Sequence, residues 1–285
     1  MPNRPLLQPK IGLALGAGGA RGFCHVGALQ VLTENNISAD VITGSSMGSL
    51  VGGAYAAGVT LREMEMLSGV IGQSFLMDIG GWPVSKLGFV KGERITRLLK
   101  SLTKGKQIED LPIRYACVAC DLATGKTVLF DRGPLWQAVR SSISIPMVFQ
   151  PMHIGNKVLV DGGVLCRVPV AQARALGADI VIAIDALGAP LAGDVPKGLI
   201  SLIMRCYAIM DWEHTKTRLK RADIALAPEM GNKSELVFSH NEVAIKAGRD
   251  AMTQALPALY RIIEQWKEDR AAGKALPGDA DDNND

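Results

Sequence analysis

A serine with the sequence context of a nucleophile lies at the centre of the pentapeptide Gly44-Ser45-Ser46-Met47-Gly48, which has the pattern G-x-S-x-G. This pattern is typical of a sharp strand-to-helix turn that presents a serine hydroxyl for attack on an acyl carbon. The reaction also needs a base that accepts the hydroxyl proton and N–H donors that stabilise the oxyanion. Because a short motif also arises by chance, the rest of the sequence has to contain candidates for both the base and the N–H donors.

The glycine-rich segment Gly16–Gly22, GAGGARG, is the candidate source of those donors. It follows the apolar run Ile11–Leu15 and precedes apolar residues at helical spacing, so it joins a predicted strand to a predicted helix. Glycines let backbone N–H groups approach a ligand closely at such a turn, and Arg21 adds positive charge. A purely structural turn is a second interpretation. A dinucleotide fingerprint is a third, although Arg21 replaces its third glycine and Asp40 precedes the apolar core of the second predicted strand.

The base is harder to assign from the residues alone. Four histidines are present, and none has a context that marks it as the base; His25 follows the glycine-rich segment in the first predicted helix. Asp161 is the other candidate, because it comes directly after a predicted strand and before two glycines in KVLVDGGV, residues 157–164. An aspartate at that sheet edge can accept the Ser46 proton without a histidine. A plain turn at D-G-G is the competing interpretation.

The order of predicted elements indicates an α/β protein. Alternating strands and helices at the start of the chain favour a parallel sheet, whose carboxyl edge would carry both glycine-bearing turns. We expect helices on both faces, one domain over residues 1–270, and a disordered tail over 271–285, where Gly, Asp and Asn dominate. Strands are predicted at 11–15, 40–43, 115–120, 127–130, 158–160, 180–184 and 224–226, and later helices at 135–143, 168–176, 199–220 and 240–268.

Four motifs in order, GAGGARG, GSSMG, SSISIP at residues 141–146, and DGG, resemble the patatin-like phospholipase family. The resemblance covers residues 10–230, and the short single-domain form is similar to the bacterial RssA-like group. It implies a three-layer α/β/α fold with a mainly parallel central sheet, no cofactor, and a Ser-Asp dyad of Ser46 as nucleophile and Asp161 as base. Ala17 departs from the family pattern, where glycine is common. The implied oxyanion hole lies around Gly18, Gly19, Ala20, Arg21 and Gly22.

Composition and charge argue against several classes of protein. The net charge is +3, from 31 basic and 28 acidic residues without the basic stripe that nucleic-acid binding needs. Glycines break the N-terminal apolar run, so we expect no signal peptide or membrane span there. Five irregularly spaced cysteines favour a reducing compartment, and Cys117 and Cys120 are predicted to be core residues rather than metal ligands. We expect a cytoplasmic protein without a metal site, with peripheral contact to the inner membrane left open.

Two apolar segments have more than one interpretation. Residues 68–92 hold aromatic and aliphatic side chains among glycines and predict either a mobile apolar cap or a loop folded on the core. Residues 199–212, LISLIMRCYAIMDW, suit either a lipid-binding or partner-binding helix or burial in the core or in a homodimer.

The residues and the resemblance together imply a serine acyl hydrolase. Its substrate would be a lipid or phospholipid acyl ester, cleaved as by a phospholipase A or a lysophospholipase. A non-enzymatic regulatory or scaffold protein that retains the fold is the alternative, and the intact serine, aspartate and glycine-rich segment argue against it.

Overall fold

The computed structural model describes residues 8–80, 91–190, 199–231 and 241–274. The predicted tail therefore lies outside the described residues from residue 275 onward. The strands in these ranges are β1 Ile11–Leu15, β2 Val41–Ser45, β3 Arg114–Asp121, β4 Lys126–Phe130, β5 Met152–Ile154, β6 Lys157–Asp161, β7 Ile180–Ile184 and β8 Ile224–Leu226. The α-helices are α1 Cys24–Glu34, α2 Met47–Ala56, α3 Leu61–Gly80, α4 Glu93–Thr103, α5 Leu135–Ser142, α6 Val170–Ala175, α7 Leu199–Leu219 and α8 Asn241–Ala271.

The described strands form a single sheet in the order β5-β6-β3-β2-β1-β7-β8, with β4 paired to β3. The pairs β1–β2, β1–β7, β2–β3 and β7–β8 are parallel. The pairs β3–β4, β3–β6 and β5–β6 are antiparallel. The sheet thus has a parallel centre and an antiparallel edge, which confirms the predicted α/β class and the mainly parallel sheet.

Helices cover both faces of this sheet, because successive strand residues pack into two different apolar clusters. Leu13 and Ile182 belong to a large cluster with side chains of α1, α2, α5 and α8. Ala14 and Val181 point the other way and pack with Ala173 of α6. A parallel sheet buried on both faces needs this arrangement. The fold is the three-layer α/β/α architecture that the resemblance implied.

Residues 68–92 were predicted to form either a mobile apolar cap or a loop folded on the core, and residues 68–80 of this segment are helical, as part of α3. Met64, Ser68 and Ile71 are buried at helical spacing, so this helix packs one face on the core despite its glycines. Residues 81–90 lie outside the described residues. Helices α3 and α4 and the three-residue strand β5 were not predicted as elements.

Helix α7 corrects one of the interpretations given for residues 199–212. Four of its described apolar side chains, Leu202, Ile203, Ile209 and Met210, are exposed, so burial in the core is wrong for them. The inner side of the helix carries Asp211 instead, which binds a buried arginine. Across the described ranges, no helix combines the length and the apolar composition needed to cross a bilayer.

Candidate active site

Ser46 occupies the turn between β2 and α2 in a strained conformation. Its φ of 51° and ψ of −124° are unusual for a residue with a side chain. Glycines on both sides make room for this turn. A Cβ atom at Gly44 would lie 2.4 Å from Ser49 Cα, and one at Gly48 would lie 2.1 Å from the carbonyl oxygen of Leu15. The spacing of G-x-S-x-G therefore follows from close backbone approach before and after the serine.

The carboxylate of Asp161 accepts a hydrogen bond from the Ser46 hydroxyl. The distance from Ser46 Oγ to Asp161 Oδ2 is 2.6 Å, and the N–H of Gly163 donates to Oδ1 at 2.8 Å. Asp161 ends β6, which pairs with β3, and β3 pairs with β2, so the sheet order brings the two residues together. Among the described residues, no lysine or arginine forms an ion pair with Asp161.

Burial controls the protonation of Asp161. Desolvation raises its pKa to about 7, and the hydrogen bonds from Ser46 and Gly163 oppose this rise only in part. The Ser46 side of the pair is buried as well. A carboxylate with a pKa near neutrality is a stronger proton acceptor than an ordinary aspartate and is still ionised in a large fraction of molecules at pH 7.

The SSISIP segment holds both members of this pair in place. Ser142 Oγ accepts a hydrogen bond from the Ser46 N–H at 3.0 Å, and the carbonyl of Ser144 accepts one from the Asp161 N–H at 3.0 Å. The buried Arg140 in turn donates from Nη1 to Ser144 Oγ at 2.7 Å. The motif was visible in the sequence, but the positioning roles of its serines were not.

The glycine-rich segment lies beside the serine turn at the same edge of the sheet. Parallel pairing sets Leu15, the last residue of β1, opposite Gly44 of β2. A Cβ atom at Gly22 would lie 2.4 Å from Met47 Cγ, so the segment packs directly against the start of α2. Gly19 has a φ of 51°, in the left-handed region that favours glycine.

Three backbone N–H groups of this segment, those of Gly18, Gly19 and Ala20, have no acceptor among the described residues. The neighbouring groups are used: the N–H of Ala17 donates to the Arg167 carbonyl at 2.9 Å, and the N–H of Arg21 donates to Gly18 at 3.0 Å. Gly22 continues the 3-10 turn Gly19–Phe23. Unpaired N–H groups at the start of a helical turn are suited to bind a developing oxyanion.

Among the described residues, no histidine forms a hydrogen bond with the Ser46 hydroxyl, which donates to Asp161. Nε2 of His25 lies 2.8 Å from the carbonyl of Gly16, and its Nδ1 faces Cys24 Sγ at 4.0 Å. Burial lowers the pKa of His25 to about 4, so the ring is neutral near pH 7. His153 and His214 are exposed, and His240 lies outside the described residues. His25 therefore supports the glycine-rich segment through the carbonyl of Gly16.

Asp40 lies at the wrong end of the sheet for the dinucleotide interpretation. Its Oδ2 accepts a hydrogen bond from the N–H of Ile11 at 2.7 Å, where β1 begins. The glycine-rich segment follows the other end of β1. Asp40 therefore cannot meet the ribose of a nucleotide bound at the glycines.

A buried arginine that sequence reasoning missed links the glycine-rich segment to α7. Arg167 donates from Nε and Nη2 to Asp185 at 2.8 and 2.6 Å, and from Nη1 to Asp211 of α7 at 2.9 Å. Its carbonyl accepts the N–H of Ala17, the residue that departs from the family pattern. These residues come from distant segments, so no local motif marked them.

Tyr207 links α7 to the Asp161 side of the site. Its hydroxyl donates to the carbonyl of Gly163 at 2.5 Å, and the N–H of Gly163 donates to Asp161. Desolvation, followed by the charges of Asp211 and Asp161, raises the pKa of Tyr207, so the phenol stays a donor. Helix α7 thus holds both the glycine-rich segment and the turn after Asp161.

Comparison with known proteins finds similar sequences and similar solved structures. Lysophospholipase NTE1 of Debaryomyces hansenii is 31% identical over 193 residues, which are 64% of this chain and 12% of that protein. An NTE family protein of Mycobacterium tuberculosis is 40% identical over 181 residues, which are 64% of this chain and 50% of that protein. Among solved structures, VipD from Legionella pneumophila matches with a TM-score of 0.49 and 16% identity over 88% of this chain and 67% of that chain.

This chain spans about half the length of the mycobacterial relatives it matches. The family model described as patatin-like phospholipase matches residues 13–174, which is more than half of the 285 residues. This range contains the glycine-rich segment, the serine turn, the SSISIP segment and Asp161. The chain therefore belongs to the patatin-like phospholipase family.

Proposed function

We propose that this protein is a serine acyl hydrolase that cleaves carboxylic esters of lipids or phospholipids, with Ser46 as nucleophile and Asp161 as base. The observation that carries the proposal is the 2.6 Å hydrogen bond from the strained Ser46 to a buried carboxylate whose pKa is about 7. The lipid substrate rests on the family and on the lysophospholipase among the relatives.

In the first half of the reaction, Ser46 Oγ attacks the ester carbonyl carbon while its proton passes to Asp161 Oδ2. The carbonyl oxygen becomes an oxyanion, to which the N–H groups of Gly18, Gly19 and Ala20 donate. When the intermediate collapses, the ester C–O bond breaks and the departing alkoxide takes the proton from Asp161. The acyl group remains on Ser46.

In the second half, water attacks the acyl carbon and gives a proton to Asp161, and the same N–H groups stabilise the second oxyanion. Ser46 Oγ leaves and regains the proton. The sum is one ester and one water converted into one carboxylic acid and one alcohol. Gly163 holds Oδ1 of Asp161 throughout, so Oδ2 stays directed at the serine.

The same proposal includes a single catalytic domain over residues 1–270 in the cytoplasm. Elements from β1 to α8 share one sheet and the apolar layers on its faces, which supports one domain. All five cysteines are free, and four of them are buried, which supports a reducing compartment.

A fluorophosphonate label with peptide mapping tests the proposal. We expect the label on Ser46 of the wild type and no label on the Ser46→Ala variant. The wild type should hydrolyse a short p-nitrophenyl ester before labelling but not after it. The Ser46→Ala protein, folded by circular dichroism, is the matched control. A folded wild-type protein that neither labels nor hydrolyses the ester would instead support the non-enzymatic scaffold.

A further inference from the structure

Helix α7 exposes a patch of apolar side chains to solvent. We define the α7 face as Leu202, Ile203, Ile209 and Met210, all of them exposed. At about 100° per residue, these four side chains fall within an arc of about 120° on the helix. Contiguous exposed apolar side chains of this kind mark an interaction surface rather than a core.

The end of α7 that follows the α7 face is basic. Residues 213–221, EHTKTRLKR, contain four basic residues and one acidic residue. The acidic residue, Glu213, pairs with Lys216 at 2.5 Å, and Lys220, directly after the end of α7, is exposed. An apolar face beside exposed basic side chains is complementary to a bilayer with anionic head groups.

The inner side of the same helix supports the candidate active site. Tyr207 donates to the carbonyl beside Asp161, and Asp211 binds Arg167, whose carbonyl holds the glycine-rich segment. A lipid surface in contact with the α7 face would therefore lie on the helix that supports the base and the oxyanion donors.

We propose that the α7 face docks the protein on the surface of a phospholipid bilayer that contains anionic head groups. The apolar side chains would enter the outer acyl region, and the exposed Lys220 would contact the head groups. The inference rests on the proposed function, because an esterase of membrane lipids takes its substrate from such a surface.

A second copy of this chain fits the α7 face less well. In an antiparallel pair related by a two-fold axis that brings the two α7 faces together, the basic end of each helix would lie beyond the α7 face of the other. In a parallel pair, the two basic ends would repel each other. Neither arrangement gives the basic ends an anionic partner within the contact, whereas anionic head groups would pair with them.

Vesicle binding tests this docking in a Ser46→Ala background, where hydrolysis cannot alter the membrane. The probe is vesicles of phosphatidylcholine with phosphatidylglycerol, and the readout is cosedimentation. The test variant is Ile203→Gln with Met210→Gln. The matched control is Met66→Gln on α3, since Met66 is 64% exposed and Met210 is 68% exposed.

We expect the double variant to lose at least about tenfold in vesicle partitioning and the Met66→Gln control to lose nothing measurable. Added salt should weaken the binding of the wild-type face. With Ser46 restored, both variants should hydrolyse a soluble p-nitrophenyl ester at the wild-type rate. Equal vesicle binding by the double variant and the control would overturn the proposal.

Binding of a second copy of this chain to the α7 face would give a different result. A wild-type dimer in sedimentation equilibrium that the double variant dissociates, with vesicle binding unchanged, would assign the α7 face to a second copy and overturn the docking. Failure of the proposed function looks different: the protein would not hydrolyse the soluble ester, yet vesicle binding would still depend on Ile203 and Met210.

Discussion

Two buried aspartates lie at strand ends of this protein and have opposite surroundings. Asp185 follows β7 and receives two hydrogen bonds from the guanidinium of Arg167, at 2.8 and 2.6 Å. Asp161 ends β6 and receives one bond from a hydroxyl and one from a backbone N–H. Both side chains are almost fully buried. The difference between them is the presence of a cation.

A buried aspartate can therefore serve as a structural support or as a base, depending on whether a cation lies beside it. A buried carboxylate that forms an ion pair with a guanidinium, as Asp185 does with Arg167, fixes the elements that the pair joins. A buried carboxylate without a cation has a raised pKa, which is about 7 for Asp161, and exchanges its proton near neutral pH. Asp185 therefore supports the glycine-rich segment through Arg167, and Asp161 is the group available to take the Ser46 proton.

The largest loss of activity is expected from substitutions in the Ser46–Asp161 pair. Ser46→Ala and Asp161→Asn should each lower kcat/KM for a p-nitrophenyl ester by about 10⁴-fold, and the double variant should lose little more, because groups that act as a unit are not additive. Ser45→Ala is the control, since its hydroxyl has no hydrogen-bond partner among the described residues. Losses that add in the double variant would mean that Asp161 acts independently of Ser46.

The same substitution at the other aspartate should damage the fold instead of the chemistry. Asp185→Asn weakens a buried ion pair and should lower the free energy of unfolding by about 3 kcal/mol, measured in urea. The remaining activity of the folded fraction should keep the wild-type pH midpoint. If the pH midpoint of activity shifted while the stability stayed normal, Asp185 would take part in proton transfer. The two aspartates would then not have different roles.

The glycine-rich segment that Asp185 supports through Arg167 can be tested at Gly19. Its φ of 51° is costly for a β-branched residue, so Gly19→Val should displace the unpaired N–H groups. We expect kcat to fall by about 10²-fold and KM to change much less, because the donors act most on the oxyanion. Steady-state kinetics would contradict this role if only KM changed.

A smaller effect concerns stability at Asp161. Because the folded pKa of about 7 exceeds the ordinary value of 3.8, the fold favours the protonated form, and stability falls as pH rises between these values. Asp161→Asn carries no such charge. Its melting temperature should exceed that of the wild type at pH 8, and the gap should close toward pH 4. If the difference in melting temperature between the variant and the wild type did not change with pH, the pKa of Asp161 would not be raised in the folded protein.

Much of the fold could be predicted from local sequence. The short apolar runs at Ile11–Leu15 and Ile180–Ile184 are strands with the predicted bounds, because strands buried on both faces must be apolar throughout. The glycines around Ser46 also carried local information, since each one allows a close backbone approach. These features depend on neighbours in sequence, which is why the residues alone indicate them.

What could not be predicted depends on contacts between distant segments. The residues alone left Asp161 as either a base or a turn, since its proximity to Ser46 arises from the order of β6, β3 and β2 in the sheet. Helix α7 is apolar on most sides, which favours burial, yet one side binds Arg167 and the opposite side is exposed. The pairing of Arg167 with Asp185 joins two segments for which no motif exists.

The pH midpoint alone cannot separate the two candidate bases. Asp161 has a pKa of about 7, which is close to the ordinary value of about 6.5 for histidine. The measurement therefore needs a variant, and His25→Gln is the sharpest one. The glutamine amide can donate to the Gly16 carbonyl in place of Nε2, so the support under the glycine-rich segment is retained.

The most direct test is the pH dependence of kcat/KM for a neutral p-nitrophenyl ester in wild type and His25→Gln, measured at two temperatures. With Asp161 as the base, activity should fall below about pH 7 in both proteins, because the base must be ionised. The midpoint should be the same in both and should hardly move with temperature, since carboxyl ionisation releases little heat. A folded His25→Gln protein as inactive as Ser46→Ala would make His25 the base and contradict the Ser46–Asp161 dyad.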